Sequence, residues 1–442
     1  ACSDFFEPIP GVQFGLDETF ASKQRTEEYL NNVYSYVREV TDAIHPNTYG
    51  GIFTEASLDG ANRWNKTYAE WTNGSFNSAS AQASEYFSKY YQAIAKASTF
   101  IQNVDKCTEA AASTRGKWKS EARALRAYYY FELLRLYGPI PLIGEDPIPL
   151  DASLEELIKE RNSVDECVNF IATELQSAID SGDLLQRAGK ANLGRMDVAT
   201  CMALKAKLYL YWASPLFNGN TDQASVKNKD GKQLFPQTED NSKWTQARDA
   251  YERFMTFATG QGYKLTEVYT NGKLDPYASC RAAGEFFTTT WEAVDELIFV
   301  KLRDLYDYTY WVCPKFTDFQ DTDVTGGGGY YTTQETVDLF FTKDGLTIEE
   351  DPGYDKFEGI TSANNFTSGR YYDPNNPSRL YFDADKSKVL KQWKDREPRF
   401  YVNITYSGSI WLNEGKYNEE MRTDFTNGAN GTCGKSKASG DC

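Results

Sequence analysis

Residues 117–143 read KWKSEARALRAYYYFELLRLYGPIPLI. Ala122, Leu125, Tyr129, Leu133 and Leu136 recur at helical spacing and predict a helix with one apolar face. Gly138 can take a left-handed turn after it, and Pro139 and Pro141 keep it from resuming. The positions between the stripes are small (Ala122, Ala124, Ala127) or aromatic (Tyr128, Tyr129, Tyr130, Phe131). Small residues let helices approach closely, and aromatic rings fill the space between layers. The pattern is that of stacked helical hairpins and predicts a mostly α fold.

The flanking sequence repeats this design. Leu30, Val33, Val37 and Val40 define an earlier helix. Ala83, Phe87, Tyr90, Ile94, Ala97 and Ile101 define another by their alternating spacing of four and three. Ser163 and Glu166 form a capping box ahead of the stripe Val168, Ile171, Leu175 and Ala178. Asp197 is placed to cap a helix that turns Cys201, Leu204, Leu208 and Tyr211 inward. Trp244, Ala247, Tyr251 and Phe254 carry one more. Paired helices from 78 to 258 are similar to tetratricopeptide repeats, in which each hairpin needs its neighbour to bury its face. After residue 260 the helical period fades, Gly, Asn, Asp and Thr rise, and Gly326 to Gly329 form a glycine run. No P-loop spacing accompanies that run, which reads as a flexible surface loop. Three parts are expected: an extended N-terminal segment over 1–25, a helical scaffold over 26–258 that includes a loop at 59–77, and a loop-rich irregular region over 259–442 packed on it.

The composition excludes several functions. The chain has 442 residues, with 47 Lys and Arg against 63 Asp and Glu, for a net charge of −16. That charge repels phosphate backbones, and no basic stripe offsets it, so nucleic acid is not an expected partner. No run of about 18 apolar residues is long enough to span a bilayer as a helix. One histidine, His45, and eight cysteines without a C-x-x-C pair argue against zinc and against Cys/His or Ser/His catalysis. Cys167 and Cys201 are expected to pack as small apolar residues. Cys433 and Cys442 flank a Gly/Ser/Lys tail and either pair in an oxidising compartment or stay free. No cofactor is expected. The Asp and Asn in the loops leave a structural Ca2+ open, although no EF-hand spacing exists.

The signature region carries more than a period. Glu121, Ala122, Arg123, Leu125, Arg126, Ala127, Tyr130, Phe131, Leu133, Arg135, Tyr137, Gly138 and Pro141 form a run that resembles the signature of the SusD family, also called RagB/SusD. Glu296-Leu297-Ile298-Phe299 resembles that family's E-I-I-F strand. Thr333 to Phe341, followed by Asp344-Gly345, resembles its P-T-x-E-L-V-D-x-F helix, with Thr for the usual Pro. Arg396-Glu397-Pro398-Arg399-Phe400 resembles its R-D-P-R-F turn, with Glu for Asp. The resemblance covers most of residues 2–410. Family chains run on well past the last of these motifs, so the C-terminal region is expected to be shortened here. The resemblance implies an outer-membrane lipoprotein of Bacteroidetes that binds glycans at the cell surface and works with a SusC-like TonB-dependent transporter. The opening Ala1-Cys2-Ser3-Asp4-Phe5-Phe6 fits the end of a lipoprotein signal, and the resemblance makes Cys2 the expected lipidation site.

A sugar ring has an apolar C–H face that stacks on indole or phenol, and hydroxyls that need planar polar partners. Two segments supply both. In the first, Asp59, Asn62, Arg63 and Asn73 surround Trp64 and Trp71, with no helical stripe to explain either indole. Trp71 either meets sugar or anchors the loop. In the second, Tyr306, Tyr308 and Tyr310 share one face of an extended segment, with Asp307 and Trp311 on the other. An edge strand whose tyrosines cover the core is the structural alternative. The resemblance implies a stacking role for Tyr308 and Trp311.

Three functions compete. A non-catalytic glycan receptor fits the resemblance, with peptides or other non-glycan nutrients as the variant cargo. A helical glycoside hydrolase would need two carboxylates set across the scissile bond, and 63 acidic residues single out no pair. A protein-interaction scaffold, the usual role of tetratricopeptide repeats, would bind no sugar.

Overall fold

The structure is a computed structural model that describes residues 15–38, 57, 60–62, 74–144, 146, 148, 152–284, 295–301, 330–355, 357, 362–385, 388–412 and 420–422. These fall into two compact units. The first takes in 15–38, the described residues from 77 to 264, and 297–301. The second takes in 57, 60–62, 74–76, 265–284, 295–296 and the described residues from 330 to 422. Two segments therefore lie across a simple cut after residue 258: 60–62 falls in the second unit and 297–301 in the first.

The first unit is helical. Helices α1 (Leu16–Ala21), α2 (Lys23–Ser35), α3 (Ala81–Asn103), α4 (Ala112–Tyr137), α5 (Leu154–Leu157), α6 (Val164–Asp180), α7 (Val198–Ala213) and α8 (Ser242–Gly260) follow in order. Helix α3 packs on α4, α4 on α6, α6 on α7 and α7 on α8, while α2 lies against α3 and α4. This nearest-neighbour stack is the repeat architecture the periodicity predicts. The expected caps form. Ser163 Oγ accepts from Glu166 N at 3.3 Å, and Glu166 Oε2 accepts from Ser163 N at 2.7 Å. Asp197 Oδ1 accepts from Thr200 N at 2.7 Å. Val168, Ile171, Leu175 and Ala178 are all buried. At α8 the inward face is Ala247, Ala250, Phe254 and Ala258, and the expected Trp244 is 41% exposed instead.

The signature helix α4 is buried on more than one face. Almost every residue from Trp118 to Leu134 is inaccessible, charged ones included. Neighbours on several sides explain why one stripe understated its burial. Arg126, 0% exposed, donates from Nε to Glu174 Oε2 at 2.7 Å and from Nη1 to Ser98 Oγ at 3.0 Å. Arg123 reaches the other oxygen of Glu174 at 3.0 Å. Glu121 accepts from the Tyr34 hydroxyl at 3.0 Å and pairs with Arg195 at 2.8 Å. Burial raises the Glu121 carboxyl, with Arg195 acting against it. The charged letters of the signature are thus cross-braces between helices. The helix ends as expected at Gly138, whose φ of 69° suits glycine and whose Cβ would stand 3.0 Å from the Phe235 ring.

The Glu296-Leu297-Ile298-Phe299 motif, expected as a strand, is a turn followed by a bend, without ladder partners among the described residues. Residues 297–301 lie along the helices of the first unit. Ile298 packs with Ala199 and Phe254, and its carbonyl accepts from Thr200 Oγ1 at 3.3 Å. Phe299 meets the Tyr128 ring edge-on at 6.2 Å, and Lys301 Nζ donates to the Val37 carbonyl at 2.6 Å.

The second unit is built from short antiparallel pairs. Its elements are β1 (Ala61–Asn62), β2 (Tyr269–Thr270), β3 (Lys273–Leu274), α9 (Pro276–Gly284), β4 (Tyr330–Tyr331), α10 (Gln334–Asp338), β5 (Phe366–Thr367), β6 (Arg370–Asp373), β7 (Asn376–Asp383), β8 (Val389–Leu390), α11 (Pro398–Asn403), β9 (Ile410–Leu412) and β10 (Glu420–Arg422). The pairs are β1 with β4, β2 with β3, β5 with β8, β6 with β7, and β9 with β10. The core is aromatic: Tyr277, Tyr381, Phe382, Phe400 and Tyr406 surround Val337 and Val389, and Tyr381 stacks on Tyr401 at 3.9 Å. Two arginines, Arg379 half-buried and Arg396 buried, organise it. Arg379 clasps Asp275 through Nη1 at 2.8 Å and Nη2 at 2.9 Å, and also reaches Asp373 at 2.7 Å. Asp275 Oδ1 in turn accepts from Ala278 N at 2.9 Å, in the first turn of α9. Arg396, of the R-E-P-R-F turn, donates from Nη2 to the carbonyls of Val337 and Phe340 at 2.6 and 2.7 Å. It thereby adds hydrogen bonds to carbonyls at and just past the end of α10. Thr333 caps the start of α10 by accepting from Thr336 N at 3.3 Å.

Candidate functional site

The first predicted ligand loop has one end in the structure. Ala61 pairs with Tyr331 and Asn62 with Tyr330, antiparallel. This short ladder ties the start of the 59–77 loop to the chain that leaves the glycine run, so two segments far apart in sequence are held side by side. Gly60, just ahead of the ladder, is buried, and Tyr331 is 56% exposed. Tyr331 continues through Thr332 into the capped start of α10, so the ladder is continuous with the aromatic core of the second unit through Val337.

Asn62 is the predicted site residue whose backbone is placed. Asp59, Arg63, Trp64, Trp71, Asn73, Tyr306, Tyr308 and Trp311 lie outside the described residues, as do Gly326–Gly329, Cys2, Cys433 and Cys442. The ladder adds Tyr331 to the candidates, an exposed phenol beside the loop's base. Its signal in sequence was the pair of tyrosines directly after four glycines.

The described residues carry little reaction chemistry. Cys107, Cys167 and Cys201 are buried free thiols, and Cys280 is a half-buried one. Burial pushes the Cys167 thiol up to about 11, far from the thiolate a nucleophile needs. Cys167 and Cys201 pack as the small apolar residues expected of them. Among the described residues no group of three or more His, Cys, Asp or Glu is placed to hold a metal ion, and no helix is long and apolar enough to cross a membrane.

A stack of helical hairpins defines a helical-repeat protein, to which this chain adds a unit of short antiparallel pairs with an aromatic core. Comparison with known proteins gives the family. Residues 13–210 match a SusD-like family described as "Starch-binding associating with outer membrane", and residues 296–440 match the family described as "SusD family". The chain belongs to the SusD family. A "SusD-like protein" of Bacteroides ovatus is 27% identical over 175 residues, which is 38% of this chain and 30% of that protein. The solved structure named BT4246 superposes with a TM-score of 0.74 at 24% identity, covering 91% of this chain and 68% of that one. A SusD-like carbohydrate binding protein from Bacteroides fragilis, BF0978, superposes with a TM-score of 0.55 at 16% identity, covering 89% of this chain and 61% of that one. The chain therefore matches under a third of the curated relative's length and about two thirds of the solved ones.

Proposed function

We propose that this chain is a non-catalytic, cell-surface glycan-binding protein that passes oligosaccharide to a SusC-like TonB-dependent transporter. In this reading it sits at the outer membrane, held by lipid on Cys2. Trp64 and Trp71 stack on sugar rings, with Asp59, Asn62, Arg63 and Asn73 bonding hydroxyls, and Tyr306, Tyr308 and Trp311 supply a second set of rings. The observation that carries the reading is the match of residues 13–210 to a family described as starch-binding, because that span contains the whole 59–77 loop. The carbohydrate-binding description of BF0978 supports it. So does the ladder that fixes the start of this loop against Tyr330–Tyr331. Hydrolysis has no such support, since no carboxylate pair in the sequence stands out for it.

Affinity electrophoresis of the purified chain through gels containing single polysaccharides tests the reading. Retardation by at least one polysaccharide, relieved in Trp64→Ala or Trp311→Ala, is expected. Free migration in every gel would overturn the glycan reading in favour of a non-glycan cargo.

A further inference from the structure

Between α10 and β8 is a cavity of about 470 Å³, within the range of roughly 300–1,000 Å³ usual for ligand pockets. Its walls include Gln334, Asp338, Glu349, Tyr354, Phe357 and Gln392. Phe357 is 48% exposed, a large apolar ring left at the rim.

The wall behind it is fixed. The Tyr354 hydroxyl accepts from Arg396 Nη1 at 2.8 Å and donates to the Gln392 carbonyl at 3.3 Å. Arg396 is itself locked onto α10. Gln334 Nε2 donates to Asp338 Oδ1 at 2.7 Å, which orients that carboxylate along the same helix.

Gln392 is the informative residue. It is 8% exposed, it lines this cavity and a smaller adjoining one beside Asn364 and Asn365, and its side-chain amide has no hydrogen-bond partner among the described residues. With no bond inside the protein, the donors and the acceptor of this amide are available to whatever fills the cavity.

We propose that this cavity binds an uncharged pyranose ring. Phe357 takes the apolar C–H face, and Gln392, Gln334 and Asp338 bond the hydroxyls. An amide both donates and accepts, as a hydroxyl does, so Gln392 can be satisfied by two neighbouring hydroxyls. The lining also sets the charge of the ligand. Asp338 and Glu349 face the cavity, and among the described residues no Lys or Arg lines it, so uronic acids and sulfated sugars are repelled. The site uses none of the residues of the 59–77 and 306–311 loops, so the two readings fail separately.

Saturation-transfer NMR on the full chain carrying Trp64→Ala and Trp311→Ala tests it. The probes are the methyl glycosides of glucose, galactose and mannose, with methyl glucuronide as the charged control. Transfer to at least one neutral glycoside and none to the glucuronide is expected. Phe357→Ala and Gln392→Ala should each reduce that transfer at least fivefold. Phe357 is at the rim, so its variant should keep the parent's circular dichroism and melting temperature. Absence of transfer to every neutral glycoside, or transfer undiminished in a folded Phe357→Ala protein, would overturn the proposal. Polysaccharide retardation that persists in the unsubstituted protein would then leave the loop reading standing.

Discussion

Arg126 and Glu174 form an ion pair with no access to water at the arginine, 2.7 Å from Nε to Oε2, joining α4 to α6. Glu174 also holds Arg123, so one carboxylate balances two guanidinium groups of the signature helix. Its removal leaves Arg126 charged and buried, with Ser98 its remaining side-chain partner among the described residues. Glu174→Gln should therefore destabilise the chain by about 3–5 kcal/mol, the usual cost of breaking a buried pair from one side. Urea unfolding followed at 222 nm measures it, and a loss below about 1 kcal/mol would show that the pair is not a brace.

Asp275 gives the second unit an acid-labile clasp. Its hydrogen bonds from Arg379 hold the carboxyl at about 2, below its ordinary 3.8, against the opposing effect of burial. A carboxyl lowered by folding contributes stability that is complete above its unfolded value and disappears as pH falls through its folded value. The window is therefore pH 4 to pH 2, and the contribution is about 2 kcal/mol. Asp275→Asn should be less stable than the parent by about that amount at pH 6, with the difference shrinking towards pH 2. Thermal melts of both proteins across this range check the slope.

Gly194 should be intolerant of any side chain. Its φ is +86°, and a Cβ there would stand 2.7 Å from the Val300 carbonyl oxygen. Gly194→Ala has to strain its own backbone or push residues 297–301 off the helices, at a cost of about 1–3 kcal/mol. Faster hydrogen exchange at residues 297–301 would locate the damage. A variant as stable as the parent, with unchanged exchange there, would contradict the packing described for this segment.

What the sequence made legible was local. The stop of the signature helix, the Ser163–Glu166 box and the Asp197 cap each depend on residues within a turn of one another, and each forms. The inward stripe of α6 was equally readable, because its period needs no knowledge of what it packs against. Long-range features were not. Glu121 and Arg126 were recognisable as signature letters, yet their partners Tyr34, Arg195 and Glu174 lie 87, 74 and 48 residues away, and nothing in spacing names them. Leu297 to Phe299 has the composition of a strand but bends and packs on helices rather than joining a sheet, since apolar side chains can be buried on either. Of the candidate site, sequence supplied the aromatic loops, and the structure supplied the ladder that places Asn62 beside Tyr330.

The central claim is saturable binding of a glycan that is not consumed. The most direct measurement is calorimetric titration of the purified chain with oligosaccharides prepared from the polysaccharide that retards it, with the same mixture analysed afterwards for chain length. The account predicts a saturable isotherm weakened at least tenfold by Trp64→Ala, and oligosaccharides recovered at their original length. Absence of heat at any oligosaccharide length, or recovery of shortened products, would contradict it.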